Sequence, residues 1–174
     1  MKYIINTSLF LLITLASWAQ NKAAKINWLT VEEVQEKMKT EPRKVYVDIY
    51  TDWCQWCKVM DKKTFTNKDV IEYLNTHYYC IHLNAETKKV LTFKDKQYGT
   101  SSDGKTNALA VEWTQGQLGY PTSIFFDEGF VNPMPVPGFF EVGTMEMIAK
   151  YIAENKHKSV NFEKYKAAFK ASWK

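Results

Sequence analysis

The sequence predicts an α/β domain in which a mixed central β-sheet is flanked by helices on both faces. After a first helix, the predicted elements form a βαβ unit, and two consecutive strands come near the end of the chain. A mixed sheet covered by helices is the simplest architecture for this order of elements. The chain has 174 residues, of which 45% are hydrophobic and 15% aromatic. This composition excludes a disordered or low-complexity chain and is enough for one sizeable core.

The first half of the chain supplies the βαβ unit. Thr30 and Glu33 fit a capping box at the start of a helix that ends before Pro42. Residues 44–50 are rich in β-formers and predict a buried strand. The elements that follow are a helix over 54–63, a short helix capped by Asn67, and a second buried strand over 78–83.

The second half begins with a polar segment, 86–107, which we expect to leave the core as an inserted surface loop or hairpin. Further elements are predicted at 108–115 (helix), 122–126 (strand), 130–136 (a Pro-punctuated edge strand) and 144–154 (an amphipathic helix). The aromatic spacing of Phe162, Tyr165, Phe169 and Trp173 predicts one more helix, in a C-terminal extension over about 157–174.

The N-terminus has the pattern of a secretory signal peptide. Lys2 is followed by a mostly apolar stretch over 9–16, and Ser17 and Ala19 are small residues at the two positions that a signal peptidase reads. We therefore expect a signal peptide at 1–19, cleavage after Ala19 and an exported, periplasmic domain at 20–174. An uncleaved anchor is the alternative. The net charge of +4 is too small and too dispersed for a nucleic-acid-binding surface.

Three cysteines lie in the exported part, and two of them form a Cys-x-x-Cys motif. Cys54 falls just after a buried strand, at the first turn of the next helix, where backbone N–H groups and the helix dipole favour a thiolate. Cys57 lies one turn further along the same face, close enough to form a disulfide. We expect Cys54 to be the exposed nucleophile and Cys57 the shielded partner that resolves a mixed disulfide.

The segment 47–58, the Tyr120-Pro121-Thr122 sequence and the later Pro137-Gly138 pair together resemble the thioredoxin superfamily. The similarity covers about residues 28–155. The Asp-Trp-Cys start and the continuation from Lys58 are most similar to exported thioredoxin-like reductases, including the C-terminal domain of the transmembrane disulfide reductase. The resemblance implies a thioredoxin-like fold, a redox-active Cys54–Cys57 disulfide, no cofactor, protein disulfide substrates and a membrane or soluble thiol electron donor. We expect a monomer that binds no nucleic acid.

The resemblance also assigns roles to residues outside the motif. Asp48, in an otherwise apolar strand, would be a buried proton acceptor for Cys57. His82 stands where thioredoxins commonly carry Lys, and we expect it to lie within a few ångströms of Asp48. His82 and Lys58, which directly follows Cys57, are expected to support the site. Pro121 would follow a cis bond, which leaves the main chain of Tyr120 free to pair with an extended substrate.

Trp53 and Trp56 flank the cysteines, and apolar rings at this position form a docking surface for a protein substrate. The structural alternatives are that Trp53 is a hydrophobic cover over the helix predicted at 54–63 and that Trp56 is an ordinary surface residue.

Two other functions stay open at this point. Cys54, Cys57, Cys80 and His82 could supply three sulfurs and one nitrogen to a structural zinc ion. A non-catalytic peptide-binding module could instead use the Tyr120-Pro121 loop and the tryptophans. Cys80 itself is expected to be a small buried hydrophobic residue, with a third redox thiol or an intermolecular disulfide as the alternatives.

Overall fold

The computed structural model describes residues 25–174, so the predicted signal peptide at 1–19 lies outside the described residues. The described part contains seven strands and six α-helices. The strands are β1 (Trp28–Leu29), β2 (Lys44–Tyr50), β3 (Tyr78–Asn84), β4 (Leu91–Phe93), β5 (Lys96–Tyr98), β6 (Thr122–Asp127) and β7 (Val131–Pro137). The helices are α1 (Val31–Met38), α2 (Gln55–Lys63), α3 (Lys68–His77), α4 (Ala108–Trp113), α5 (Val142–Ala153) and α6 (Phe162–Ala168), with a 3-10 turn at Lys156–Lys158.

The central sheet is mixed, as the sequence predicts. Its strand order is β1-β3-β2-β6-β7. The first three strands are mutually parallel, whereas β6 is antiparallel to β2 and β7 is antiparallel to β6. Strand β1 was not predicted, because two residues are too few to show a period-2 pattern. The central position of β2 means that the chain leaves the sheet near its middle, just before Cys54.

Helices cover both faces of this sheet because side chains alternate along β2. Val45, Val47 and Ile49 enter one core cluster together with residues of α1 and α4. Tyr46 faces the opposite side and enters a second cluster with residues of α3 and α5. Because one core cluster covers each face of the sheet, β2 is buried along nearly its whole length.

The segment 86–107 contains a hairpin formed by β4 and β5, but it does not leave the core as expected. Phe93 and Tyr98 are buried in the first core cluster. The Phe93 ring meets the Trp113 ring edge to face, with centroids 5.2 Å apart. The expectation was wrong because it followed the mostly polar composition of the segment. Burial of the two aromatic side chains favours packing of the hairpin on the rest of the domain.

The C-terminal extension is helical over a shorter range than predicted. Helix α6 ends at Ala168, and residues 169–174, including Phe169 and Trp173, have no regular structure. The buried carboxylate of Glu146 accepts hydrogen bonds from the backbone N–H groups of Ser172 and Trp173, at 2.7 and 2.9 Å. An α-helix would use these N–H groups internally, so the contact with Glu146 favours an extended end. Across residues 25–174, no helix combines the length and apolar character needed to cross a membrane.

Candidate active site

A disulfide joins Cys54 and Cys57 where β2 gives way to α2. The Cα atoms are 5.3 Å apart, within the range that a disulfide can bridge. Cys54 is the N-cap residue of α2, and its Sγ accepts a hydrogen bond from the Cys57 backbone N–H at 3.0 Å. The predicted placement of both cysteines is therefore confirmed. In the reduced protein the same N–H group would face the Cys54 sulfur.

The expectation that Cys54 is exposed while Cys57 is shielded is wrong for the disulfide form. Cys54 exposes 4% of its surface and Cys57 exposes 3%. The bond and the hydrogen bond to the first turn draw the Cys54 sulfur inward over the helix. Relative exposure therefore does not distinguish the two cysteines, and the difference between them lies in position, since only Cys54 caps the helix.

Two exposed tryptophans flank Cys54 in the chain, and each packs against a half-buried aromatic ring. Trp53 and Trp56, on either side of Cys54, expose 62% and 61% of their surfaces. The Trp53 ring is edge-on to Tyr120 at 5.7 Å, and its Nε1–H donates to Glu86 at 3.1 Å. The Trp56 ring packs against Phe139 at 5.5 Å. We call these four rings (Trp53, Trp56, Tyr120 and Phe139) the aromatic rim.

The loop before β6 lies beside the disulfide, and the Tyr120–Pro121 bond is cis, as the resemblance implies. The contact between Trp53 and Tyr120 holds this loop against the residue that precedes Cys54. Gly138, with a φ of 106°, donates its N–H to the Pro121 carbonyl at 2.8 Å. That φ favours glycine, so the Pro137-Gly138 pair supports the loop from the neighbouring strand.

The buried Asp48 and the half-buried His82 form a pair on adjacent strands, which confirms their predicted proximity. The two residues are register partners on β2 and β3, and His82 Nε2 lies 3.1 Å from Asp48 Oδ2. Burial raises the pKa of Asp48, and the adjacent imidazole of His82 offsets part of that effect. The His82 ring is stacked between the rings of Trp28 and Tyr50, at 4.9 and 3.9 Å.

A third polar residue, Asp61, joins this pair, and the sequence reasoning missed it. Asp61 lies on α2, four residues after Cys57, and its Oδ1 is 3.8 Å from His82 Nε2. Ligand atoms of Asp48, Asp61 and His82 all lie within 4.8 Å of one another. Asp48 therefore lies beneath the same helix that carries the cysteines. The spacing of four between Cys57 and Asp61 was the available signal, since it places both residues on one helix face.

The remaining predicted residues lie apart from this constellation. Lys58 is exposed on α2, and within residues 25–174 its side chain forms no ion pair. Cys80 is buried in the second core cluster, where burial raises the pKa of its thiol, and its Sγ lies 3.9 Å from the Leu74 carbonyl. The four ligands of the alternative zinc site are not brought together in the described chain, since Cys80 is absent from the group that contains His82.

The mixed five-stranded sheet, the cis-proline loop and the cysteine pair at the start of α2 define a thioredoxin-fold protein. Residues 11–164 match the model of the family Thioredox_DsbH, described as a protein of unknown function, DUF255, and the chain belongs to that family. The fold is also that of a thioredoxin-fold protein from Helicobacter pylori, with a TM-score of 0.56 and 14% identity over 72% of this chain and 81% of the other. A structure named DsbH Oxidoreductase aligns with a TM-score of 0.51 and 16% identity, over 83% and 91% of the two chains.

Curated relatives of known name are much longer than this chain. The thiol:disulfide interchange protein DsbD of Actinobacillus pleuropneumoniae is 30% identical over 115 residues, which are 64% of this chain and 17% of the relative. DsbD of Haemophilus ducreyi is 33% identical over 60% of this chain and 15% of the relative. Spermatogenesis-associated protein 20 of Mus musculus is 24% identical over 56% and 11%. The chain thus spans less than a fifth of each of these relatives.

Proposed function

We propose that this chain is a protein thiol–disulfide oxidoreductase. The observation that carries the proposal is the Cys54–Cys57 disulfide at the N-terminus of α2, with the exposed rings of Trp53 and Trp56 on either side of Cys54. A strained or purely structural bridge would not need exposed tryptophans beside it, whereas a pair that reacts with protein substrates needs an apolar docking surface. The similarity to proteins named for thiol:disulfide interchange supports the same reaction.

The reaction starts from the reduced pair. The Cys54 thiolate attacks one sulfur of a substrate disulfide, so that a mixed disulfide forms and the other substrate sulfur leaves as a thiolate. The Cys57 thiolate then attacks the Cys54 sulfur, which breaks the mixed disulfide and releases the second substrate thiolate. The substrate gains two electrons, and the enzyme ends with the Cys54–Cys57 disulfide.

Asp48 is the residue that takes the proton from Cys57 before the second attack. Its carboxylate is buried beneath the helix that carries Cys57, and its pKa is raised by burial, which suits a group that must both accept and release a proton. His82 positions this carboxylate, since the imidazole is clamped between Trp28 and Tyr50. Lys58, exposed one residue after Cys57, has a supporting role.

Substrate binding falls to the aromatic rim and to the loop before β6. Trp53 and Trp56 contact apolar side chains on both sides of a substrate cysteine. The resemblance to thioredoxins assigns the Tyr120 main chain to pairing with an extended peptide, which adds backbone hydrogen bonds to the apolar contacts.

The direction of exchange is reduction, and the compartment lies outside the cytoplasm. The N-terminal pattern around Lys2 and Ala19 supports export, and an oxidising compartment would keep the pair as a disulfide unless a membrane or soluble thiol donor reduces it. Expression of the full chain in a bacterium followed by N-terminal sequencing tests export: mature protein in the periplasm beginning at Gln20 is expected. Full-length protein retained in the cytoplasm would contradict it.

Insulin reduction by dithiothreitol tests the catalytic proposal. The wild-type protein accelerates the reaction, whereas Cys54→Ser is no faster than dithiothreitol alone, because the attacking sulfur is missing. Cys80→Ser is the matched control, since it removes a buried thiol outside the site, and it retains the wild-type rate. Equal rates for wild type and Cys54→Ser would remove the enzyme hypothesis and favour the peptide-binding module.

A trapping variant identifies the substrate. Cys57→Ala cannot resolve the mixed disulfide, so substrate proteins stay attached to Cys54. They migrate in non-reducing gel electrophoresis as complexes that dithiothreitol separates by reducing the disulfide. The double variant Cys54→Ser/Cys57→Ala yields no such complexes.

A further inference from the structure

Asp48, Asp61 and His82 bring two carboxylates and one imidazole together from β2, α2 and β3. His82 Nε2 lies 3.1 Å from Asp48 Oδ2 and 3.8 Å from Asp61 Oδ1. The three elements are fixed independently: β2 and β3 by their register, and α2 by the cap and disulfide at its start. The convergence of three ligands from three elements is therefore a property of the tertiary fold.

Two buried atoms in this cluster lack hydrogen-bond partners within residues 25–174. They are Asp48 Oδ1, on a side chain that is 98% buried (2% exposed), and His82 Nε2. His82 Nε2 approaches Asp48 Oδ2 at 3.1 Å as an ion pair, and this contact does not meet the geometry of a hydrogen bond. Buried polar atoms without partners are costly, so a ligand that satisfies them is favoured.

We propose that Asp48, Asp61 and His82 bind a divalent transition-metal cation, for which Zn²⁺ is the probe. Zinc bonds to nitrogen and oxygen are about 2.0–2.2 Å long, so neighbouring ligands in a tetrahedral site are about 3.3–3.5 Å apart. The observed 3.1 and 3.8 Å bracket that spacing, and small side-chain adjustments complete the site. Imidazole favours zinc over Mg²⁺ and Ca²⁺, which prefer oxygen ligands alone.

The cluster can be reached from the surface on two sides. Asp61, 43% exposed, borders a groove of about 420 Å³ together with Trp28 and Lys25. His82 and Tyr50 border a second groove, of about 490 Å³, in which Glu32 adds negative charge. Water in these grooves would supply the fourth ligand. A cation there would hold the Asp48 carboxylate and slow disulfide exchange; this consequence rests on the proposed function, whereas the binding does not.

Titration calorimetry of untagged, oxidised protein with Zn²⁺ tests the proposal. Oxidation removes Cys54 and Cys57 as competing ligands, so the measurement does not depend on thiol chemistry or on whether the chain is an enzyme. We expect one Zn²⁺ per chain, with an affinity at least tenfold weaker in Asp61→Asn and in His82→Gln. Asp61→Asn is nearly isosteric and partly exposed, so it leaves the fold intact, which circular dichroism checks.

The matched control is His77→Gln, which removes an exposed imidazole on α3 and leaves Zn²⁺ affinity unchanged. Nitrogen chemical shifts of the three imidazoles provide a second measurement, in which Zn²⁺ moves the His82 Nε2 signal. Absence of binding to the oxidised wild type, equal binding by Asp61→Asn, loss of binding in His77→Gln, or equal affinity for Mg²⁺ would each overturn the proposal.

Discussion

At the scale of single residues, Trp53 and Trp56 are exceptions to the burial of large apolar side chains in this protein. Each exposes more than half of its surface, yet each ring is held in place by one aromatic neighbour, Tyr120 or Phe139. Aromatic rings that are immobilised but exposed lose little conformational entropy when a partner covers them. This property suits a docking surface for protein substrates.

Replacement of Trp56 by alanine separates docking from chemistry. We expect kcat/KM for insulin to fall about fivefold or more, which corresponds to about 1 kcal/mol, because a central aromatic contact is lost. The rate with a small disulfide such as cystine changes little, since that substrate covers little of the aromatic rim. Val131→Ala is the control, because Val131 is also exposed but lies at the far end of β7 from Phe139. A similar loss with both substrates would refute the docking role.

At the scale of elements, the end of the chain is held as a strap. Residues 169–174, which we call the strap, are bound by Glu146 on α5 and by Asn67, whose side-chain N–H donates to the Lys174 carbonyl at 2.5 Å. Lys150 forms an ion pair with Glu146 at 2.7 Å and lies 5.1 Å from the centre of the Trp173 ring. Burial opposes the charge of Glu146, but the hydrogen bonds from Lys150, Ser172 and the strap backbone lower its pKa to about 2.

The strap makes stability depend on pH. Because the pKa of Glu146 is lower in the folded chain than its usual 4.5, its contribution is fully present above pH 4.5 and is lost as the pH falls towards 2. Glu146→Gln reduces the free energy of unfolding at pH 7 by about 2 kcal/mol, and reduces it less at pH 3. Urea unfolding at both pH values measures the difference. Glu141→Gln, on an exposed N-cap residue without a capping bond, leaves stability unchanged. An equal loss at both pH values would contradict the charge-based explanation.

At the scale of the whole molecule, the hairpin of β4 and β5 belongs to the core. Phe93 contacts the rings of Tyr98, Trp113 and Phe130, which come from the hairpin, α4 and the β6–β7 turn. Gln35 of α1 donates to the Thr92 carbonyl at 2.8 Å and so ties the hairpin to the first helix. The inserted segment is therefore expected to unfold together with the sheet.

Truncation of Phe93 tests this cooperativity. Phe93→Ala costs about 3 to 5 kcal/mol, the usual range for a buried Phe, and lowers the single unfolding midpoint of the whole domain. Val90→Ala, at an exposed position of the same segment, changes the midpoint little. Fluorescence and circular dichroism, followed during unfolding, measure the midpoints of the two variants. A separate early transition in Phe93→Ala, with the main midpoint unchanged, would show that the hairpin is an independent excursion.

Features that depend on neighbouring residues were predictable from the sequence. Thr30 caps α1 through a capping box, Asn67 caps α3, and the Pro-rich strand β7 lies at the sheet edge. The position of Cys54 at a helix start follows from the apolar strand before it. Each of these signals acts within a few residues, where backbone hydrogen bonding and side-chain period leave a local pattern.

The sequence alone determined the mixed α/β fold and the adjacency of Cys54 and Cys57, because residue spacing along a strand and a helix fixes both. Only the tertiary structure decided that Asp61 meets His82, that Phe93 returns to the core, and that residues 169–174 are held by Glu146. These contacts join residues that are far apart in the chain. Their geometry is set by sheet register and helix packing, to which distant segments contribute at once, and no local pattern records it.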